Sequence, residues 1–426
     1  MAGPRVAYVV SWFPAPTETF ILHEVLGVLA LGLDVDVFPL FGAAKGPRHP
    51  GTDDVLRRTH RIPLLGILLA QVYWLRRRPR AYLAAFAAAL RAHRRSPLGL
   101  AKALVVLPRG AYVAREVERR GITHLHAHWA THPALAAWMV RALTGVSYSF
   151  TAHAHDLYLD RAMLAEKVAA ARFVVTISEF NRRLIGAACG PGAEAKTRVI
   201  RCGVDPEAYR RPPALAPAAG PPLVLCVAGL RDYKGQLHLV EACARLRDAG
   251  IAFRCVVVGE GPERAALERR IGERWLARHV ELTGALPQDR VRALVREAAV
   301  VVHPSVVTPS GMMDGIPVAL MEAMAAECAV VTTRVSGIPE LVQDGVGGLL
   351  VAPGDAAGLA EAVARLLGDA ALRARLGRGA RQAVLARFTL QQNVALLFAE
   401  LARAAVTVSP GSRRGAAPSP TVPAPA

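Results

Sequence analysis

HPSVVTPSGMMDGIPVALMEAMAAECAVVTTRVSGIPELV, residues 303–342, is the stretch that decides the fold. An apolar, β-rich run ends at His303, and a loop rich in Ser, Thr, Gly and Pro leads to Asp314-Gly315-Ile316-Pro317. A helix is expected to start there with Pro317 at its first position, where the missing amide proton costs nothing. Glu322 falls in its second turn, and the next β-rich run, residues 329–332, follows at once. This is a βα unit of a parallel sheet, and such sheets bind ligands where loops leave the carboxyl ends of the strands. The amides and dipole at the helix start suit a phosphate, Asp314 can accept hydroxyl hydrogen bonds beside it, and Glu322 can reach a diol. That combination fits a nucleotide sugar, although an ordinary βα unit with solvated carboxylates would read the same way if it stood alone.

The same alternation runs along the chain. Short β-rich segments at 5–10, 35–40, 123–126, 147–151 and 173–177, then at 223–228, 253–258, 280–282, 300–303 and 329–332, alternate with Ala-rich amphipathic stretches. Two α/β sheets follow, each wrapped by helices. RPPALAPAAGPP, residues 211–222, cannot form a regular element and is the expected linker. The expected organisation is a first domain over 1–210, a second over 223–385, a crossover helix over 386–408, and a tail over 409–426 without a packed core.

The chain has 426 residues, 53% of them apolar and 20% charged, which is a globular balance and more than one core usually spans. The longest apolar run, residues 62–75, contains Pro63, Gly66 and Gln71 and is shorter than the roughly twenty residues of a bilayer span. The apolar run after Arg5 is too short for a signal-peptide core, so a cytoplasmic location is expected. Six cysteines without a CxxC pair read as buried thiols rather than as a zinc site or a disulfide framework.

Two further loops of the second half can join the 303–342 segment at one sheet edge. Lys234 and Gly235 follow the first strand of that half, where a cation neutralises a diphosphate leaving group. Gly259-Glu260-Gly261 ends the next strand and admits close backbone approach. In the first half, His153 ends a strand facing the expected cleft, where it can hydrogen-bond a sugar hydroxyl or a phosphate oxygen and titrate near neutrality. His126 and His128 share one face of a strand and read as cleft-wall or packing groups. A metal trio of His126, His128 and His153 is disfavoured because no acidic ligand accompanies it, so no metal is expected. In the loop after the first strand, Thr17, Glu18 and Thr19 are the polar groups available to an acceptor or to donor phosphates, and Glu18 can equally cap the helix that follows.

DGIPVALMEAMA, VAGLRDYKG, VVVGEGPER and VSGIPELV resemble the donor-site signatures of retaining family 4 glycosyltransferases, which have the GT-B fold. The first half agrees through VSWFPAPTETFILHEV, HLHAHWATHPA, FTAHAHDLY, VTISEFNRRLI and VIRCGVDPEAY. Together they are most similar to the branch that builds exopolysaccharide and colanic-acid-type chains, and the resemblance covers roughly residues 5–400. It implies two Rossmann-like domains facing across a cleft, with the last helix returning to the first. It also implies metal-independent, cofactor-free transfer of a sugar from a nucleoside diphosphate donor to a glycan or lipid-linked acceptor.

Carried over residue by residue, the resemblance gives His153, Lys234 and Asp314 catalytic roles. It assigns Glu322, Gly315, Ile316, Pro317, Arg231, Gly259 and Gly261 to the donor, and Thr17, Glu18, His126 and His128 to the acceptor side. Two departures stand out. The family's Glu-x7-Glu pair is Asp314 and Glu322 here, one methylene shorter at the first position. The usual Arg upstream of the Lys is absent from VAGL, where Gly229 stands, which leaves Lys234 as the matched cation and Arg231 as a substitute. The alternatives are a catalytically weak GT-B protein that binds or scaffolds, or a GT-B epimerase or phosphorylase.

The formal charge of +18 is concentrated. Residues 57–120 carry 15 basic residues against Glu116 and Glu118, interleaved with IPLLGILLAQVYWL and YLAAFAAAL. No nucleic-acid motif accompanies the cluster. Basic amphipathic helices with Tyr73, Trp74 and Tyr82 as interfacial aromatics suit an anionic membrane surface, giving a peripheral position at the inner face of the cytoplasmic membrane. The opposite expectation is that the apolar faces pack on the first sheet and the Arg side chains are merely solvated.

Overall fold

A computed structural model describes residues 5–15, 18–44, 46, 49–94, 96–211 and 220–406. The expected tail lies outside the described residues, as does most of the expected linker. Among the described residues there are twelve strands: β1 Arg5–Val10, β2 Asp34–Pro39, β3 His124–His128, β4 Ser147–Ala152, β5 Phe173–Thr176, β6 Thr197–Val199, β7 Leu223–Val227, β8 Arg254–Val258, β9 Val280–Gly284, β10 Val300–His303, β11 Ala329–Thr333 and β12 Leu349–Val351. They form two parallel six-stranded sheets, ordered β2-β1-β3-β4-β5-β6 and β12-β11-β10-β7-β8-β9. All ten expected strands exist, with ends shifted by up to two residues. Sequence patterning missed β6 and β12, three-residue edge strands too short to show a period.

Each sheet is buried on both faces, so its strands read as continuous apolar runs. Along β1, Ala7 and Val9 enter the core under the helices Pro97–Arg120 and His132–Thr144, while Val6, Tyr8 and Val10 enter the opposite core. The second core receives the helix Thr19–Ala30 and the last helix, Leu390–Val406, through Val25, Val28, Val394, Leu397 and Leu401. The last helix therefore crosses back onto the first domain. The contact is close, since a Cβ on Gly27 would lie 2.7 Å from Val394 Cγ1.

The expected first domain ran to residue 210, but Val204 and Tyr209 pack into a core of the second sheet beside Leu225, Val301 and Met324. Cys226, Cys243, Cys255 and Cys328 are buried thiols, and Cys189 and Cys202 are partly buried, all unpaired as expected. Among the described residues no helix is long and apolar enough to cross a membrane.

Candidate active site

Three glycines bring together the loops expected to hold the donor. A Cβ on Gly235 would lie 1.9 Å from Pro304 O, one on Gly259 would lie 2.0 Å from Ala228 O, and one on Gly261 would lie 2.2 Å from Leu230 O. The loops after β7, β8 and β10 thus stack backbone on backbone, which side chains would prevent. Gly235, at φ +72°, ends the 3-10 turn Asp232–Lys234 and presents Lys234 to the loop after β10. There Lys234 Nζ lies 2.6 Å from Asp314 Oδ2, and Ser305 Oγ donates to the same oxygen at 3.1 Å. His303 Nε2 stands 3.8 Å from it. Burial alone would raise the Asp314 carboxyl, but Lys234, His303 and Ser305 hold it below its ordinary value. Burial, assisted by Lys234, pushes His303 down to about 4. Arg231, the substitute cation, is exposed and extends from the turn's N-terminal side.

The expected helix starts one residue later than its sequence suggests. It spans Val318–Ala325 with Pro317 as the residue before it, in extended geometry (φ −67°, ψ 127°). Ile316 is buried in the second domain's core, so its backbone is what it can offer a ligand. Asp314 and Glu322 face different partners. Glu322 Oε1 accepts from Tyr209 Oη at 2.5 Å, Gln288 Nε2 donates to that phenol at 3.2 Å, and Arg292 lies over the Tyr209 ring. Burial raises the Glu322 carboxyl.

The first domain supplies the facing wall. A Cβ on Gly315 would come within 2.9 Å of Ile177 Cδ1, and one on Gly337 within 2.7 Å of Ser178 Cβ, so the two domains meet at the donor loop. Glu340, from the SGIPEL segment, fastens them. Its carboxylate accepts from the backbone amides of Glu179 and Phe180 at 3.0 and 2.9 Å and pairs with Arg201 at 3.1 Å. His153 lines a cavity on this side together with Phe20, Glu24, Arg201, Cys202 and Asn393.

His153 corrects one expectation. It is 6% exposed, and burial pushes its imidazole well below the ordinary value, away from titration near neutrality. Its loop is held by Asp156, a fully buried carboxylate that accepts from the amides of Ala130, His153 and Ala154.

For His126 the structure gives the packing alternative rather than a cleft wall. The parallel register of β3 on β4 sets His124, His126 and His128 against Ser147, Ser149 and Thr151. Ser149 Oγ lies 2.8 Å from His126 Nδ1 and Thr151 Oγ1 lies 2.9 Å from Nε2, so both ring nitrogens are engaged and the residue is a packing group with no exposed surface. His128 is equally buried and reaches the cavity only through its neighbours. Its Nδ1 is 3.3 Å from His153 Nε2 and its Nε2 is 2.9 Å from Glu24 Oε1, which Tyr8 also donates to. An acidic group therefore does accompany these histidines. Glu24, His126 and His128 offer ligand atoms within 4.8 Å of one another, close enough to hold a metal ion.

Thr17 lies outside the described residues. Thr19 is the first residue of the helix Thr19–Ala30, and Glu18 precedes it without a side-chain capping bond. One Glu18 carboxylate oxygen is buried without a partner among the described residues, and burial raises this carboxyl. It borders a hollow lined by Trp12, Phe13, Ile21 and Thr52.

With this geometry in place, two family profiles match in tandem: Glycosyltransferase Family 4 over residues 17–208 and Glycosyl transferases group 1 over residues 210–383. The chain belongs to the GT-B glycosyltransferases of family 4. The amylovoran biosynthesis glycosyltransferase AmsK of Erwinia amylovora is 29% identical over 387 residues, 85% of this chain and 90% of the relative. The putative colanic acid biosynthesis glycosyltransferase WcaL of Escherichia coli K12 is 43% identical over 169 residues, a match spanning 40% of this chain and 41% of that relative. Among solved structures, Anabaena HepE in complex with UDP superposes with a TM-score of 0.68 at 18% identity, covering 94% of this chain and 100% of that one. A glycosyltransferase of Rickettsia africae gives 0.69 at 15% identity over 96% and 100% of the respective chains. At these identities the two structures establish the GT-B fold.

Sequence patterning missed four functional neighbours in this glycosyltransferase: Glu24, Asp156, Tyr209 and Glu340. Each sits inside a quoted motif, in ETFILHEV, HAHDLY, VDPEAY or SGIPEL, but touches its partner from a distant part of the chain or through the backbone.

Proposed function

We propose that this chain transfers a sugar, with retention of anomeric configuration, from a nucleoside diphosphate sugar to a glycan acceptor that is lipid-linked, in exopolysaccharide or cell-envelope polysaccharide synthesis. The observation that carries it is the Lys234, Ser305 and Asp314 cluster at the junction of the domains, with Glu322 eight residues along the same segment. The names of AmsK and WcaL support the polysaccharide role, and HepE with UDP supports a nucleotide donor.

The donor diphosphate takes Lys234 as its cation and the amides at the start of Val318–Ala325 as hydrogen-bond donors, with Arg231 as an exposed second cation. Asp314, released from Lys234, accepts from the sugar's hydroxyls. Glu322 holds the ribose diol, and Gly259 and Gly261 keep the adjoining loops close. Neutral His153 offers a hydrogen bond to the sugar or the leaving phosphate, and Glu18 and the cavity beside Glu24 and Arg201 meet the acceptor. The bond from the anomeric carbon to phosphate breaks while the acceptor oxygen bonds the same face, and the hydroxyl proton passes to a diphosphate oxygen. Nucleoside diphosphate leaves. No metal is required, because Lys234 and the helix amides carry the developing charge.

The experiment is a screen of UDP- and GDP-sugars by thermal shift, followed by release of nucleoside diphosphate with and without chelator. Turnover that persists in chelator supports metal-independent transfer. Tight donor binding without nucleoside diphosphate release, even with acceptor, would favour a binding or scaffold subunit. The same position predicts that the protein works beside a membrane that carries the acceptor.

A further inference from the structure

Residues 57–120 include three helices, Leu64–Arg77, Pro79–His93 and Pro97–Arg120, and of the aromatics the sequence suggested for the interface, Trp74 and Tyr82 are buried and Tyr73 is half-buried. Trp74 is fully buried and donates to Ala111 O at 2.8 Å. Tyr82 is 8% exposed and donates to Gln71, and Tyr73 donates to Glu118. What faces solvent is aliphatic. On Leu64–Arg77, residues Leu64, Leu65, Leu68, Leu69, Val72 and Leu75 are 43–74% exposed. Their spacing puts them on one face, opposite Ile67, Ala70 and Trp74, which pack inward. Leu83 and Leu98 on the two adjoining helices are also exposed.

Soluble monomers rarely leave such an apolar stripe uncovered. Charge complementarity identifies its cover. Arg76, Arg77, Arg78 and Arg80 are exposed at one end of the stripe and Arg61 at the other. A second copy of this chain would bring the same cluster of Arg residues against it, whereas an anionic lipid surface satisfies both the leucines and the Arg rim. The helix of 14 residues is about 21 Å long, too short to span a bilayer and suited to lying in its surface.

We infer that the leucine face of Leu64–Arg77 inserts into the acyl boundary of an anionic membrane, with the Arg residues at its ends on the lipid headgroups. The inserted unit adjoins the acceptor side of the cleft. Arg109, on Pro97–Arg120, donates to Leu40 O at the end of β2 and lies over the Phe41 ring, which packs on Trp12 in the loop after β1. A lipid-linked acceptor would thus be met at the bilayer surface. This deepens the proposed function and rests on its membrane-borne acceptor.

The test is flotation with vesicles of phosphatidylcholine containing or lacking phosphatidylglycerol, for the wild type, Leu65→Gln/Leu68→Gln/Leu69→Gln, and Arg76→Gln/Arg77→Gln/Arg78→Gln/Arg80→Gln. The wild type should bind anionic vesicles, and the leucine variant should bind at least about a hundredfold more weakly even at low salt. Loss of binding in the arginine variant with none in the leucine variant would overturn insertion in favour of surface electrostatics. A concentration-dependent dimer abolished by the leucine substitutions, with no vesicle binding, would assign the face to a second copy. Transfer to a soluble acceptor, read in parallel, should be unchanged in both variants. If the wild type floats but transfers nothing, the proposed activity fails while insertion stands.

Discussion

Lys234 Nζ lies 2.6 Å from Asp314 Oδ2, with both side chains largely buried, so the cation proposed for the diphosphate is paired with the carboxylate proposed for the sugar. The shorter carboxylate at position 314 is the one that holds it. On the proposed function, donor phosphate displaces Asp314 from Lys234, which frees the carboxylate for the sugar in the same step.

Removing one partner of that pair leaves the other charge buried. Lys234→Ala should lower turnover about a hundredfold or more and destabilise the apoprotein by roughly 3 kcal/mol. Lys234→Ala with Asp314→Asn should recover stability without recovering turnover. Urea unfolding and steady-state kinetics on the three variants check this, and a loss of turnover below threefold would shift the diphosphate role to Arg231.

Glu322 is held by the Tyr209 phenol at 2.5 Å. Glu322→Ala should weaken donor binding by about a hundredfold or more, because charge-assisted hydrogen bonds to a diol are lost. Tyr209→Phe leaves the carboxylate in place and should weaken binding by less than about tenfold. Calorimetry with the donor separates the two, and unchanged affinity in a folded Glu322→Ala protein would remove Glu322 from the donor site.

Asp156 acts on His153 through the backbone, accepting from the amides of His153 and Ala154. Asp156→Asn keeps the volume but loses acceptor capacity in a fully buried position, so it should destabilise by about 2 kcal/mol or more and lower turnover. Adding Asp156→Asn to His153→Ala should then lower turnover little further. Independent, multiplicative losses would show that Asp156 does not act through His153.

Burial lowers His124 to about 3 and carries His126 and His153 well below their ordinary values. Well above pH 6.5 these groups are neutral folded and unfolded, and they contribute no pH dependence. Below it the unfolded chain takes up protons that the folded chain refuses, so stability falls with pH, approaching about 1.4 kcal/mol per unit for each histidine. The urea midpoint should drop between pH 6.5 and 5. A flat midpoint across that range would show that the folded histidines are protonated.

The stacking of the second-half loops was legible because its signals are local. A loop feeding a helix start, a Lys after a strand and Gly-x-Gly after another are each contiguous, and the parallel sheet stacks them at one edge. The first half was less legible because its polar groups act across strands. His126 and His128 are two residues apart and look equivalent, yet the Ser149 and Thr151 hydroxyls close off the first while Glu24 and His153 flank the second. The exposed leucines were legible as apolar residues, but not as solvent-facing ones.

The sequence by itself determined two parallel α/β domains and the family, since periodicity, turn residues and motif order are properties of neighbouring positions. Only the tertiary structure decided that Lys234 is paired with Asp314, that His153 is buried, that Glu340 fastens the domains and that the leucines of Leu64–Arg77 face outward while Trp74 and Tyr82 pack inward. Burial, pairing and protonation depend on which distant side chains a residue meets, and the packing of sheets and helices sets those meetings.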